Sequence, residues 1–316
     1  MDIFIPSSAH SPVRWKWITL TGPDARDFLQ RLTTVHVNGL SQGQGSPGCF
    51  LNSQGKIQSY FTLWHYHSQE YAFEFEAGIS EEWMESLLSW MDKYTFAEKI
   101  TVYNPTPELS CYWLFPKSED SLPSELRSLR AGSTFASDEE IRFCHQGSLT
   151  YGRAWITAWG RPARLEQWIH RQRETREISF TQLESARIQA LRPRIDFEIT
   201  HDVLPLEIGL LEAVAKNKGC YPGQEVIEKI AALGSPAKRL VQIQGTGSPP
   251  LAGDIITQIG DSPIELGRVT SVDEQPTTFL ALANIRKIYA KEGLTVFLGA
   301  QRSTQGGIVK VAPYAD

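Results

Sequence analysis

The segment that most restricts the backbone conformation of this chain is an eight-residue run from Lys218 to Glu225, which reads KGCYPGQE. Two glycines and a proline interrupt any helix or strand in the run and require a tight, irregular path. Ordinary connecting loops are satisfied by many mixtures of Gly, Asn and Ser, whereas an irregular backbone that holds reactive groups tends to mark a functional site. We therefore expect a functional loop.

Cys220 is the candidate reactive group of this run. A thiol close to Lys218 and to the start of a helix should be more thiolate-like than a cysteine buried in a core. The alternative interpretation is that Cys220 is a small buried apolar residue, which is common for free cysteines. Neither His nor Asp occurs in the run, so a second catalytic group would have to come from elsewhere in the chain. Cys220 is thus the predicted catalytic residue.

The three other cysteines, Cys49, Cys111 and Cys144, fall in strand-like runs and are predicted to lie in the core. No Cys-x-x-Cys pair is present, which disfavours a disulfide framework and a zinc or cluster site. His65 and His67 would share one strand face, but two ligands do not make a metal site. The sequence therefore predicts no metal site.

Composition is that of an ordinary soluble globular protein, with 41% hydrophobic and 21% charged residues. No run approaches the length of a membrane span, and the first ten residues lack the features of a signal peptide. We therefore expect a cytoplasmic protein without membrane contact. The net charge of -5 argues against broad, non-specific binding of nucleic acid.

Strand and helix patterns alternate irregularly along the chain, which predicts an α+β fold. Residues 56–66 and 71–77 form a predicted hairpin with one buried face, in which Ala72, Glu74 and Glu76 alternate with the buried aromatic residues. The glycine-rich run 43–48 is predicted to be a loop, and Ser179 and Gln182 form a capping box that opens a helix. From residue 238, short strands recur between Gly and Pro turns and predict a β-barrel. The predicted domains are 1–236 and 237–316.

The run from Lys218 to Glu225 resembles the signature of the YgfZ family of folate-binding proteins, which are relatives of the glycine-cleavage T-protein, an aminomethyltransferase. The similarity extends over most of the chain, with residues 100–178 matching only in layout. Segments that resemble the family are found at 15–30, at Gln54 to Ile57, at Pro205 to Glu207, at Leu266 to Ser271 and at Ala281 to Ala283.

The resemblance implies an aminomethyltransferase-like N-terminal region with two subdomains around a central channel, followed by a C-terminal β-barrel. It also implies a tetrahydrofolate or a one-carbon derivative as the cofactor. Gln224 and Glu225 have an alternative, structural role, since they are expected in the first turn of a helix. The residues predicted to bind the cofactor are Trp15, Leu183, Arg187, Gln189, Lys218, Tyr221, Gln224 and Glu225.

Two positions depart from the pattern of the family. His36 stands where the transferases carry an acid, and an imidazole cannot supply the negative charge that aminomethyl transfer requires. Gln189 stands where the family commonly has Glu, and an amide accepts fewer hydrogen bonds from a pterin than a carboxylate does. We expect weaker folate binding, or a different ligand, as a consequence.

The resemblance implies an accessory protein that binds folate and supports the assembly or repair of iron–sulphur enzymes, with an indirect link to tRNA modification. Two alternatives stay open. One is a folate-dependent aminomethyltransferase of the glycine-cleavage type, against which His36 and Gln189 argue. The other is a non-catalytic scaffold that has lost folate. Whether the protein turns over a substrate is left undecided by the sequence.

Overall fold

A computed structural model describes residues 1–6, 15–75, 81–104, 108–137, 140–147, 154–172, 174–232, 234, 236–258, 264–299 and 304–313. The helices in this part of the chain are α1 (Ala25–Leu32), α2 (Glu81–Asp92), α3 (Pro162–His170), α4 (Phe180–Gln189) and α5 (Gln224–Ala232). The first strands are β1 (Asp2–Phe4), β2 (Lys16–Thr21), β3 (Gly45–Leu51), β4 (Ile57–His67), β5 (Glu70–Phe75), β6 (Thr101–Tyr103), β7 (Ser110–Phe115) and β8 (Thr134–Ala136). The remaining strands are β9 (Arg142–Gly147), β10 (Trp155–Gly160), β11 (Arg176–Glu177), β12 (Lys238–Thr246), β13 (Ile255–Gln258), β14 (Glu265–Glu274), β15 (Thr278–Arg286), β16 (Thr295–Leu298) and β17 (Thr304–Val311).

The chain forms two compact units that interleave in sequence. Unit 1 consists of Met1–Phe50, Gln58–Leu183 and Glu212–Pro222, and unit 2 consists of Leu51–Ile57, Glu184–Leu211 and Gly223–Asp316. Each unit is thus assembled from three chain segments, whereas the predicted domains are contiguous. The run KGCYPGQE begins in unit 1 and ends in unit 2.

Unit 1 contains two sheets, with strand orders β3-β4-β5-β2-β6 and β11-β1-β7-β10-β9-β8. Trp17, Trp64 and Ala72 of the first sheet share one core cluster with Trp113 and Trp155 of the second. The two sheets therefore pack against each other through an aromatic core, as apolar faces of sheets must be covered.

Strand β5 corrects one expectation from the sequence. The alternation from Tyr71 onward predicts one solvated face, but Ala72 and Glu74 are as buried as Tyr71, Phe73 and Phe75. One face of β5 lies on the aromatic core, and on the other face Phe73 packs beside Phe50 and Phe61 of its own sheet. Trp90 of helix α2 packs on Phe50. A second covering layer cannot be inferred from the local periodicity.

The glycine-rich run is also different from its prediction, since Gly45 to Leu51 form strand β3 and not a loop. A Cβ atom on Gly45 would lie 2.2 Å from Trp64, and one on Gly48 would lie 2.3 Å from Val35. These glycines therefore serve close packing of neighbouring side chains. The predicted capping box of α4 is confirmed, because the Ser179 N–H donates to Gln182 Oε1 (2.9 Å) and the Gln182 N–H donates to Ser179 Oγ (3.2 Å).

Unit 2 contains the predicted C-terminal barrel, a closed sheet with strand order β12-β15-β14-β13-β16-β17. Its core is aliphatic, with Val241, Ile243, Ala283 and Ile285 among the fully buried residues. None of the helices in the described part of the chain combines the length and the apolar character that a membrane span requires.

Candidate functional site

The loop around Cys220 is fixed to the end of helix α1 by Lys218. The Lys218 ammonium donates hydrogen bonds to the carbonyl oxygens of Gln30 and Thr33, and the Gln30 side-chain amide donates to the carbonyl of Lys218. Carbonyl groups in the last turn of a helix lack partners within the helix and carry a partial negative charge. Lys218 therefore anchors the loop, and all of these groups belong to unit 1.

The Lys218 side chain is only 6% exposed. Burial disfavours its charged form and lowers the pKa of its ammonium to about 8, while the charge of Cys220 opposes this shift. The Tyr221 ring lies 4.9 Å from Lys218 Nζ and supplies a cation–π contact. Lys218 and Tyr221, both predicted to bind the cofactor, thus contact each other.

Cys220 is exposed, whereas Cys49, Cys111 and Cys144 are buried in strands β3, β7 and β9. Burial raises the pKa of each of these three thiols above its ordinary value. Gly219 has a φ of 95°, a conformation that favours glycine and turns the backbone just before Cys220. Of the four thiols, Cys220 is therefore the one that a reagent in solution can reach.

A cleft in unit 1 lies between the two sheets and contains about 530 Å³ of space free of protein atoms, including space open to solvent. Its lining consists mainly of aromatic and polar side chains from both sheets. The lining residues are Trp15, Gly45, Pro47, Tyr60, Phe61, Thr62, Trp64, Glu74, Gly132, His145, Gln146 and Trp155. We call this cleft the aromatic cavity.

Glu74 is a carboxylate in the wall of the aromatic cavity and is 1% exposed. Its Oε1 accepts hydrogen bonds from the indole N–H groups of Trp15 (3.0 Å) and Trp159 (2.7 Å). Its Oε2 accepts from the indole of Trp64 (2.9 Å) and from the side-chain amide of Gln146 (2.5 Å). Four neutral donors therefore hold one carboxylate in a fixed orientation.

Burial raises the pKa of Glu74 above its ordinary value, and hydrogen bonds from Thr157 and the tryptophans oppose this shift. No ion pair of Glu74 with a cation is found in the described part of the chain. The carboxylate is thus stabilised by neutral N–H and O–H donors and not by a cation, in contrast to most buried acids, which are paired with a base.

The sequence prediction missed Glu74 because the alternation in β5 assigns it to a solvated face. One signal was available. The chain has nine tryptophans, and a buried indole N–H usually needs an acceptor. A single acid within the apolar run from Tyr71 to Phe75 is a suitable acceptor for several of them.

Trp15 and Leu183, two predicted cofactor residues, belong to the same aromatic core cluster. Trp15 lines the aromatic cavity and packs edge to face against Trp113, with ring centroids 5.0 Å apart. Leu183 is buried in the cluster and is not part of the cavity lining. Trp15 is therefore the predicted residue that is best placed for contact with a ligand.

Arg187 and Gln189 lie in unit 2. Arg187 is 1% exposed and donates to Glu184, to Glu198, to Ser271 and to the carbonyl of Arg192. All five of its N–H groups are used in this way, which favours a structural role over the predicted contact with a cofactor. Gln189 is exposed, and its amide donates to Ser185 Oγ (3.0 Å).

Gln224 and Glu225 occupy the first turn of α5 in unit 2. The Gln224 amide donates to Glu228 one turn later, and Glu225 is exposed at the positive end of the helix dipole. This arrangement favours the structural alternative for both residues. Gly223 just before them has a φ of 80°, and a Cβ atom there would lie 2.5 Å from the carbonyl oxygen of Asn52.

His65 and His67, which the sequence predicts on one strand face, lie in different environments. His65 is buried and stacks on Tyr71, with ring centroids 4.7 Å apart, whereas His67 and His36 are exposed. Among the described residues, no group of three or more His, Cys, Asp or Glu side chains could hold a metal ion.

Known proteins resemble this chain in sequence and in fold, although no family model matches it. A chloroplastic protein of Arabidopsis thaliana is 24% identical over 94% of this chain and 68% of that protein. The tRNA-modifying protein YgfZ of Aliivibrio fischeri is 22% identical over 81% of this chain and 78% of that protein. The glycine cleavage system aminomethyltransferase T of Bartonella henselae superposes with a TM-score of 0.81, over 98% of this chain and 84% of that one, at 18% identity. The predicted resemblance to YgfZ proteins and the predicted aminomethyltransferase-like α+β fold are both confirmed.

Proposed function

We propose that this chain, with its YgfZ-like sequence and its aminomethyltransferase T fold, is a folate-binding accessory protein of the cytoplasm. The observation that supports this proposal most directly is the aromatic cavity of unit 1, in which Glu74 is held as a fixed acceptor. A reduced pterin has a flat pyrimidinone ring that carries an amino group and a ring N–H donor. Indole faces provide the stacking surface for such a ring, and a carboxylate accepts from its donors.

In this proposal the cavity takes the pterin ring of a tetrahydrofolate or of a one-carbon derivative. Both oxygens of Glu74 already accept two hydrogen bonds each. We propose that a pterin amino group replaces Gln146, which also lines the cavity. Trp15 would cover one face of the ring, while the bound folate would supply one-carbon chemistry or redox chemistry. The residues of this chain would bind the folate, orient its pterin ring and exclude water from the cavity.

Titration with tetrahydrofolate tests the cavity. We expect saturable quenching of intrinsic tryptophan fluorescence by the wild-type protein. Trp15→Phe should raise the Kd about tenfold, because the smaller ring loses stacking area and its hydrogen bond to Glu74, which together cost about 1.4 kcal/mol. Trp90→Phe is the control, since Trp90 packs on Phe50 and Tyr94 and does not line the cavity. An unquenched wild-type protein, or equal effects of both variants, would contradict the assignment.

The second part of the proposal concerns the loop that Lys218 anchors. We infer that Cys220 acts on a client protein that carries an iron–sulphur cluster, because its thiol is exposed and its loop is held in an irregular conformation. A relative named for tRNA modification fits an indirect link, in which a tRNA-modifying iron–sulphur enzyme is the client. An aminomethyltransferase is the weaker candidate, since His36 cannot replace an acid.

Complementation of cells that lack their own factor tests the role of Cys220. We expect the wild-type chain to restore the activity of iron–sulphur enzymes and Cys220→Ala to lose at least about 90% of it, a tenfold change of the order that one lost reactive group produces. Cys220→Ala should stay folded, because an exposed side chain contributes little to packing. Cys49→Ala, which removes a buried thiol, is the matched control. Full complementation by Cys220→Ala would contradict a reactive role of the thiol and would favour the interpretation as a non-catalytic scaffold.

A further inference from the structure

A second cleft lies entirely within unit 2, on the outer surface of the barrel. It contains about 1020 Å³ of space free of protein atoms, including space open to solvent. Strands β12, β14 and β15 form one wall, and the segment from Phe197 to Val203 forms the other. The lining residues are Phe197, Glu198, Thr200, Asp202, Val203, Lys238, Glu265, Leu266, Gly267, Arg268, Thr270, Asn284 and Arg286. We call it the barrel cleft.

Pairing of the strands places four polar side chains of the cleft on one face. Lys238 of β12 is directly opposite Arg286 of β15, and Arg268 of β14 is directly opposite Asn284 of β15. Directly opposite residues project to the same face of a sheet, as do residues two apart on one strand. Since Ala283 and Ile285 belong to the barrel core, the four polar residues all lie on the outer face.

The three cations of the cleft differ in their ion pairs. Arg268 bonds to Glu265 (3.4 Å) and to the carbonyl of Gly253 (3.1 Å). In the described part of the chain, Lys238 and Arg286 form no ion pair with any acid. Like charges directly opposite each other on paired strands are destabilising. An anion bound between Lys238 and Arg286 would remove this repulsion.

The acids of the cleft do not supply that anion. Glu198 is 2% exposed, and its carboxylate is bound by Arg187, Thr270 and Ser271. Glu265 is paired with Arg268. Asp202 is the remaining acid in the lining, which also contains the two cations Lys238 and Arg286. The cleft therefore has an excess of positive charge over the acids that are free to neutralise it.

Two further features of the cleft indicate a ligand larger than a simple anion. Asn284 Oδ1 is buried in the cleft wall without a hydrogen-bond partner, so a ligand with an N–H or O–H donor would satisfy it. Phe197 is 37% exposed, and the Arg194 guanidinium lies over its ring at 4.1 Å. The cleft thus combines cations, a free polar group and an aromatic surface.

We propose that the barrel cleft binds a nucleotide, either free or as part of an RNA strand. The phosphate lies between Lys238 and Arg286, and a base or ribose donor reaches Asn284 near the ring of Phe197. A nucleotide combines a phosphate, a base with a polar edge and a flat ring. Proteins recognise the phosphate with Arg and Lys, and they stack aromatic side chains on the base. The proposal is independent of folate binding, because no residue of the aromatic cavity belongs to unit 2.

Binding of adenosine monophosphate and of a labelled eight-nucleotide single-stranded RNA to the full-length protein tests the proposal. The double variant Lys238→Ala/Arg286→Ala should bind both at least about tenfold more weakly, since hydrogen bonds to charged groups are each worth that order of affinity. Lys229→Ala/Lys291→Ala removes the same charge from exposed sites of unit 2 outside the cleft, and it should bind as the wild type does.

The variant Asn284→Leu distinguishes the contact to the base or ribose from the contact to the phosphate. It should weaken the binding of adenosine monophosphate and leave competition by inorganic phosphate unchanged. Tighter binding of the RNA than of the mononucleotide would identify a strand as the source, and the reverse would identify a free nucleotide. Failure of the wild-type protein to bind either probe, or equal losses in the cleft and control variants, would overturn the proposal.

Discussion

Glu74→Leu should lower the free energy of unfolding of unit 1 by about 4 kcal/mol. The substitution conserves volume but leaves the indole N–H groups of Trp15, Trp64 and Trp159 without their acceptor. A buried donor without a partner costs about 1–3 kcal/mol, and relief from burying a charge offsets part of the sum. Urea unfolding followed by tryptophan fluorescence measures the change as a lower transition midpoint.

Two further variants sharpen this experiment. Glu74→Gln keeps one acceptor oxygen, so its midpoint should fall between those of the wild type and Glu74→Leu. Glu70→Ala changes an acid on the same strand that is not enclosed by tryptophans, and it should alter stability by no more than about 0.5 kcal/mol. A wild-type midpoint for Glu74→Leu would mean that the indoles find other acceptors and that the carboxylate is not an organising centre of the cavity.

Arg187→Met should destabilise unit 2 by about 3–5 kcal/mol, the cost of breaking a buried ion pair by removing one partner. Met fills a similar volume but leaves the buried Glu198 carboxylate without its cation and Glu184 with Arg194 alone. Thermal or urea unfolding followed by far-UV circular dichroism reports the loss, since the barrel contributes much of the strand signal.

The matched control is Arg268→Met, also in unit 2, whose pair with Glu265 is about half exposed on both sides. Exposed pairs are worth about 0–1 kcal/mol, so this variant should unfold close to the wild type. Equal effects of the two substitutions would contradict the view that the buried ion pairs of Arg187 stabilise unit 2. Arg187 would then again be a candidate for cofactor binding.

Much of the fold followed from local patterns, but the environment of the site did not. The capping box at Ser179, the barrel after residue 238 and the strand positions of three cysteines depend on short-range signals that tertiary packing reinforces. The predictions of a solvated face on β5 and of a loop at Gly45 were wrong. Both features depend on packing against other segments, which the local sequence does not reveal. Glu74 was missed for the same reason, since its four donors come from other strands or segments.

The resemblance to a family selected residues by position and could not assign each a physical role. Trp15 lines a cavity, as a ligand contact would, whereas Arg187 is fully used in an ion network. Lys218 anchors the Cys220 loop, and burial lowers the pKa of its ammonium to about 8. Local chemistry of this kind is determined by partners far away in the chain, which spacing alone does not identify.

The anchor of the Cys220 loop also determines when the loop can become ordered during synthesis. Lys218 and its partner carbonyl at Gln30 are 188 residues apart in sequence. At about 5–20 residues per second, a ribosome needs roughly 10–40 s to make the intervening chain. The carbonyl oxygens of Gln30 and Thr33 therefore lack the Lys218 ammonium until late in translation. The Cys220 thiol becomes positioned only after all three segments of unit 1 have emerged, so a truncated nascent chain lacks the ordered Cys220 loop.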